Sequence, residues 1–405
     1  MLAGIAWKNI WRNKKRSAVI LTAIALGLCG GLFATGIMVG IAESMVNTAI
    51  DRDLAHIQIH TKEFKDNPLI QNSIPDADKL VKELHSVIGI KGVSGRVKIE
   101  GMASSPATNS GVEIIGIDPH AEATVSSVAK SIHEGTYLDS IIKNSVVVGK
   151  KLAEKLNLRV RSKLVLSFPG CDGSIIYGAF RIAGLFETES TIFDKSTVFV
   201  DERDITRLLG GTPIIHEIAL RLVNAQTMPD VLSSLRSAYP QFAIESWKDL
   251  APELKLTAEL TNVTMLFFLG IILFGLLFGI TNTMLMSVLD RVREFGMVMA
   301  IGMKRKRVFA QIFLETVFLS LVGSIIGIIL GVIVLGITHQ TGINLSIFAD
   351  GLSFYGISAM LYPAVPLELY FELGILIILT ALGSAVYPGL KATRLKPAQA
   401  IRTYA

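Results

Sequence analysis

Four stretches of the chain, residues 17–42, 260–289, 316–349 and 373–390, carry no charged side chain. A helix needs roughly 20 apolar residues to cross the hydrocarbon core of a bilayer, so each stretch predicts a membrane span. Elsewhere the pattern shortens. His56, Ile57, Gln58, Ile59 and His60 alternate as a strand does. Leu80, Val81, Leu84 and Val87 have helical spacing after Pro75 and Asp76. Residues 112–117, 145–148, 164–168, 179–185 and 196–200 read as strands separated by Gly, Pro and Asp turns, and residues 150–158, 201–209 and 229–239 as helices. The expected fold is therefore an α-helical membrane protein with four transmembrane helices plus a large α+β extracytoplasmic domain inserted between helices 1 and 2. Residues 120–215 are expected to form a strand-rich lobe within it.

Composition agrees with this division. All 39 basic and 34 acidic residues lie in the other 297 positions, about one in four, the density of a soluble domain. Charge also sets the topology. Residues 1–16 hold five bases and no acid, 290–315 six bases and three acids, and 391–405 four bases and no acid. The segments on the other side are net acidic, and positive residues near span ends stay cytoplasmic. Both termini are thus expected inside and residues 43–259 outside. The spans follow as 17–42, 260–289, 308–338 and 373–390, with a cytoplasmic helix at 290–307, a short outer loop at 339–372 and a tail at 391–405. The net charge of +5 is juxtamembrane and fits lipid head groups rather than nucleic acid.

Catalytic chemistry is sparse. Gly149, Lys150 and Lys151 lack the first glycine and the hydroxyl of a phosphate-binding loop. The seven histidines have no acidic or cysteine partner at metal-ligand spacing. The charge-free stretches hold no acid of the kind an ion-driven carrier uses, and His339, 24 residues past Glu315, is expected at the membrane interface. The two cysteines exclude a disulfide framework. Cys29 follows the large Leu28, so the first span is expected to be retained rather than cleaved. Thr281, Asn282 and Thr283 suit helix–helix hydrogen bonding, and Gly323, Gly327 and Gly331 predict one thin helix face packed on a neighbour.

The segment between the second and third spans is the most informative. Phe295, Val298, Met299 and Ile301 can form an apolar face, Arg291, Arg293 and Glu294 can pair, and Gly302 stops the helix before a basic run. Two roles stay open: an interfacial anchor, or a rigid knob inserted into a cytoplasmic partner.

This run resembles the R-x-R-E-x-G-x-x-x-A-x-G coupling helix of the FtsX-like/MacB-type ABC transporter permeases. Residues 387–402, from Tyr387 and Pro388 through Pro397 to Arg402, are similar to that family's closing motif, and the basic start at Asn9–Arg16 to its N-terminus. The run Val112 to Pro119, with Glu134 to Leu138, is most similar to the lipoprotein-releasing (Lol-type) permeases. The resemblance implies a permease subunit of the bacterial inner membrane that is not itself an enzyme. It binds no cofactor, and ATP and Mg belong to two cytoplasmic ATPase subunits. A second permease, identical or related, completes the assembly. Arg291, Arg293, Glu294, Phe295, Gly296, Met299, Ala300, Ile301 and Gly302 are the implied ATPase-coupling residues. Phe33, Ile37, Met38, Ile41, Phe267, Phe268 and Ile271 are the candidates for an acyl-chain cavity from which a lipoprotein passes to a periplasmic carrier. Export of peptide or drug, regulation of a cell-wall hydrolase, and a membrane-anchored receptor without an ATPase are the alternatives.

Overall fold

The computed structural model describes residues 2–12, 14–139 and 142–393. Four of its helices are long and apolar enough to cross a membrane. The first span helix runs Lys14–Ala49 and continues as a π turn, Ile50–Leu54; the second is Pro252–Asp290, the third Arg305–Thr341 and the fourth Leu367–Thr393. Each begins before the charge-free stretch that predicted it, because a charged side chain marks the edge of the apolar region, not the end of a hydrogen-bonded helix; the third alone stops short of its stretch, at Thr341. The closing motif enters the fourth helix; its residues 394–402 lie outside the described residues.

By its contacts the chain separates into a unit of spans (up to Ala42, Ala258–Asn344, and from Met360 onward) and a second unit of Glu43–Thr257 with Leu345–Ala359. In the span unit the glycines decide which helices touch. A Cβ on Gly327 would stand 2.7 Å from Leu28 Cβ and 3.0 Å from the Ala25 backbone, and Gly323 and Gly331 meet Ile24 and Leu32 in the same way. The glycine face of the third span thus packs on the first. Gly27 and Gly31 of the first span meet Leu276 and Ile272 of the second. Thr281 Oγ1 donates to the Ser384 carbonyl at 3.3 Å, joining the second span to the fourth. Ile24, Leu28, Leu32, Ile280, Ile312, Leu319, Leu373 and Ile377 form the buried centre. An additional amphipathic helix, Leu2–Arg12, buries Ala6 and Ile10 and sets Trp7 edge-on to Phe318.

The third span ends where Gly342 takes φ +70°. Ile343 and Asn344 pair with Leu361 and Met360, while Leu345–Ala359 belongs to the large unit, with Ser353 Oγ 2.9 Å from Thr191 Oγ1. Residues 339–372, expected as one outer loop, are therefore divided between the two units.

The large unit is built on a ten-stranded sheet: β1 (Ile57–Thr61), β2 (Ile90–Ser104), β3 (Asn109–Ile117), β4 (Ile132–Gly135), β5 (Ser145–Gly149), β6 (Lys163–Pro169), β7 (Ile175–Phe186), β8 (Thr197–Asp201), β9 (Glu217–Leu222) and β10 (Phe242–Ser246). Its order is β10-β1-β9-β2-β3-β8-β5-β7-β4, with β6 beside β2 and β7. The β3–β8 and β5–β7 pairs are parallel and the others antiparallel. The strands of the 120–215 region extend this same sheet, so no break in the sheet sets that lobe apart. β2 is why: its first half pairs with β9 (Val93 opposite Leu220) and its second with β3 (Ile99 opposite Ile114).

Two-residue alternation sorts the strands' side chains into separate cores. Ile114, Val146, Val148, Val198 and Val200 enter one; Ile115, Val147 and Phe199 enter another on the opposite face. A third core lies where helices Ala77–His85 and Met228–Ala238 cover β1, β9 and β10 through Leu80, Leu84 and Leu235.

Two consequences are measurable in the full-length chain. Gly327→Leu is expected to lower stability by about 1–3 kcal/mol, the usual cost of overpacking, read as an earlier thermal midpoint in lipid nanodiscs; an unchanged midpoint contradicts the packing. The second concerns Glu202, which starts the helix Glu202–Leu208. Burial, then the charges of Asp118, Asp201 and Asp78, raise its carboxyl from 4.5 to about 7. A raised folded pKa favours folding below the unfolded value, and that contribution is lost as pH climbs toward the folded one. Glu202→Gln is therefore expected to raise the thermal midpoint near about pH 8 and to leave it unchanged near about pH 4.

Candidate coupling site

The second span stops at Asp290. Arg291 leaves helical geometry at φ −112°, ψ 16°, and a separate helix, Val292–Ala300, follows. Its end is a Schellman motif: Gly302 N–H donates to the Met299 carbonyl and Met303 N–H to the Val298 carbonyl, both at 3.1 Å, with Gly302 at φ +106°. A residue with a Cβ is strained at that φ, so the glycine read as a stop signal is required by the turn it makes. Lys304 then caps the third span in extended conformation.

The connecting helix is fixed by its first turn. Phe295 is buried at 4% exposure and packs with Met284, Val288, Val308 and Ile312 of the second and third spans. The Arg291 guanidinium lies 5.1 Å from the centre of the Phe295 ring. Its Nε donates to Glu294 at 2.8 Å, and a terminal nitrogen to Glu315 of the third span at 3.2 Å. Both Arg291 and Glu315 side chains are withdrawn from solvent, at 8% and 2% exposure. Glu294 also takes two hydrogen bonds from Arg12, at 2.9 and 3.1 Å. Partial burial pushes the Glu294 carboxyl up, but the Arg291 hydrogen bond and the charges of Arg291 and Arg12 outweigh it and hold the group below the usual carboxylate range. The exposed Arg12–Glu294 pair contributes little by itself.

The outward side of the helix carries two exposed large apolar side chains. Met297 is half exposed and Ile301 is 86% exposed, with Arg293, Ala300 and Gly302 also on the surface. The expectation of one face made by Phe295, Val298, Met299 and Ile301 is corrected. Phe295 is buried, Val298 and Met299 are half-buried, and Ile301 points out because the helix ends at Ala300 and the chain turns at Gly302. Gly296 is buried beside Phe295 in sequence. The helix of the third span holds an acid that lies outside its charge-free stretch. The charge-free stretch starts just after Glu315, but the helix starts ten residues earlier at Arg305, placing Glu315 about 15 Å along it. Its lone position before an apolar run was the available signal. Arg12 as a partner of Glu294 had no local signal at all.

The cavity candidates divide. Phe33 packs partly against the buried centre of the spans, Ile37, Met38 and Ile41 are half-buried, and Phe267, Phe268 and Ile271 are exposed on the second span. Met265 and Leu269, not the phenylalanines, are the side chains of this stretch that are buried in the centre of the span unit. His339 sits in the last turn of the third span, Nδ1 3.1 Å from the Pro363 carbonyl.

In the large unit, His60, Phe64, Lys98, Glu217 and Glu245 line a cleft of about 410 Å³. Burial, with the Arg221 charge, lowers His56 to about 4, and its Nδ1 accepts from Leu222 N–H at 3.3 Å. His216 accepts from Lys98 N–H and stacks on Phe64 at 4.8 Å. No group of three metal-ligating side chains occurs among the described residues.

Residues 17–238 match the MacB-like periplasmic core domain, and residues 266–397 the FtsX-like permease C-terminal region. The chain is 22% identical to an uncharacterized ABC transporter permease, YvrN, of Bacillus subtilis, over 98% of both chains. It is 22% identical to the lipoprotein-releasing system transmembrane protein LolE of Haemophilus influenzae, over 99% of both. The macrolide export ATP-binding/permease protein MacB of Escherichia coli matches at 26% identity over 42% of this chain and 27% of its own length. Among solved structures, the periplasmic region of MacB from Actinobacillus actinomycetemcomitans aligns with 52% of this chain and 97% of its own, at 13% identity and a TM-score of 0.37.

Breaking the buried pair is the direct test of the site's construction. Glu315→Leu leaves the Arg291 charge without its buried partner and is expected to cost about 3–5 kcal/mol, whereas Arg291→Met with Glu315→Leu restores most of it. Thermal unfolding of both variants decides the matter; a single variant as stable as the parent contradicts the pairing.

Proposed function

Because the chain belongs to the MacB-like and FtsX-like ABC transporter permeases, we propose that it relays force from a separate cytoplasmic ATPase to its large domain. In this reading two ATPase subunits bind ATP and Mg and press on the helix Val292–Ala300 of two permease copies. The termini lie in the cytoplasm and the domain, inserted between the first and second spans, faces the periplasm of a bacterial inner membrane. The observation that carries the reading is the combination at that helix. One side is locked into the third span through Arg291 and Glu315, while Met297 and Ile301 face outward. A push on an apolar knob so anchored moves the span rather than the loop, and exposed Ile301 is the residue expected to enter the ATPase, alongside Arg293, Ala300 and Gly302.

The cargo proposed is a lipoprotein, handed to a periplasmic carrier. The match to LolE over 99% of both chains supports this over macrolide export, since MacB of Escherichia coli matches over 42% of this chain and that of Bordetella avium over 55%, each over no more than a third of its own length. The apolar residues Phe267, Phe268 and Ile271, exposed on the second span, can face acyl chains, with Phe33, Ile37, Met38 and Ile41 on the first.

Ile301→Glu tests the contact without touching the fold, as Ile301 is 86% exposed. It is expected to weaken ATPase binding by about 2 kcal/mol, the scale of an interface hot spot, with an unchanged unfolding midpoint. Binding of the co-purifying ATPase at the parent's affinity contradicts the reading.

A further inference from the structure

The first span helix ends inside the large domain, and the chain's geometry there is unusual. The π turn Ile50–Leu54 runs into Ala55 at φ 53°, ψ −166°, a conformation that L residues rarely adopt. A joint of this kind is where a pushed helix gives way. Yet its terminal carbonyls, which no longer have helical partners, are taken up by side chains and backbone of the domain. Asp51 C=O accepts from Ser127 N–H at 2.6 Å, Leu54 C=O from Gln58 Nε2 at 3.0 Å, and Asp53 C=O from the guanidinium of Arg96. Asp51 also pairs with Arg221.

Arg96, on β2, is 1% exposed. Nε and one terminal nitrogen hold both oxygens of Glu122 at 3.0 and 2.6 Å, and the other terminal nitrogen holds Glu217 of β9 at 2.7 Å. The second Glu217 oxygen faces Lys98 Nζ at 3.0 Å. Lys98 Nζ also lies 3.7 Å from the half-exposed Glu113, so two cations hold the two buried carboxylates and one at the surface. Such a network is no efficient way to gain stability, because well-packed apolar residues do as well. What a guanidinium adds is a fixed fork: three directions of donation set by one rigid plane. Two of them bind it to the domain, and the third reaches the partial negative charge at the helix end.

We propose that Arg96 is a positioning residue that locks the end of the first span helix to strands β2 and β9, so that axial displacement of the helix is passed to the sheet and not absorbed at the Ile50–Ala55 joint. The function of this lock rests on the force-relay reading; its existence does not.

The test uses the full chain with its co-purifying ATPase in lipid nanodiscs, comparing the parent with Arg96→Lys and Arg96→Met. Lysine keeps the charge but lacks the fork. Two readouts are taken: hydrogen exchange over residues 50–58, and release of a fluorescent diacylated peptide per ATP hydrolysed. In both variants exchange over 50–58 is expected to quicken by about tenfold to a hundredfold, the scale of losing a charged hydrogen bond in local opening. Exchange in β5 stays at the parent's rate, ATP hydrolysis continues, and release per ATP falls about tenfold or more. Should Arg96→Met not fold, Arg96→Met with Glu122→Met removes the stranded carboxylate and is read identically. Parental exchange over 50–58, or parental release per ATP, overturns the lock. Faster exchange that extends to Val146–Val148 also overturns it, by making Arg96 a general stabiliser of the domain. A parent that neither recruits an ATPase nor releases the peptide sinks the force-relay reading alone, and the exchange readout still decides the lock.

Discussion

A charge taken out of water has to be answered within the protein, and the span unit of this chain is organised by one such obligation. Arg291 sits at the break between two helices with 8% of its side chain exposed, and Glu315 answers it from within the third span. Removing Glu315 leaves the buried Arg291 with only the half-exposed Glu294 as its ion-pair partner, and breaking a buried pair costs far more than the pair gains. The connecting helix therefore cannot rotate or lift away from the third span without breaking the pair. Phe295, beneath the guanidinium and among Met284, Val308 and Ile312, makes the same attachment in apolar form. The two attachments convert the short connecting helix into an extension of the third span.

The spans beyond it are closely packed where they touch. Glycines on the third span admit Ile24, Leu28 and Leu32 of the first to separations that a side chain would forbid. Helices in lipid gain little from the hydrophobic effect and associate through close packing and hydrogen bonds, so a stripe without side chains is the means by which the third span grips the first. The first span helix then continues without interruption to Ala49 and its π turn to Leu54.

Much of this was legible in the sequence, and the parts that were not share a cause. The spans were written as four uncharged stretches, the turn at Gly302 as a glycine before a basic run, and the helix-on-helix face as Gly323, Gly327 and Gly331. Each is a local pattern. β2, the longest strand, escaped notice because Gly92, Gly95 and Gly101 and four charged side chains break its alternation. Those glycines answer neighbours distant in sequence: a Cβ on Gly101 would stand 2.6 Å from the Ser167 carbonyl oxygen. β9 and β10 were missed for want of clear alternation, since β9 is buried on both faces over most of its length. The pairing of Arg291 with Glu315, of Arg12 with Glu294, and of Arg96 with Glu122 and Glu217 is created by the fold and has no signature along the chain. The face assigned to Ile301 failed for a smaller reason, a helix that ends one residue sooner than its apolar periodicity.

Whether the connecting helix and the large domain move together is the question on which the whole account turns. Spin labels at Lys304, exposed just past the connecting helix and outside the proposed ATPase contact, and at Ile88, almost fully exposed, in a chain whose exposed Cys171 is replaced by serine, report their separation by pulsed electron resonance in the nanodisc-embedded complex with its ATPase. The account predicts a distance distribution that shifts when ATP is added and returns after hydrolysis. A distribution that stays fixed while ATP is being consumed contradicts it.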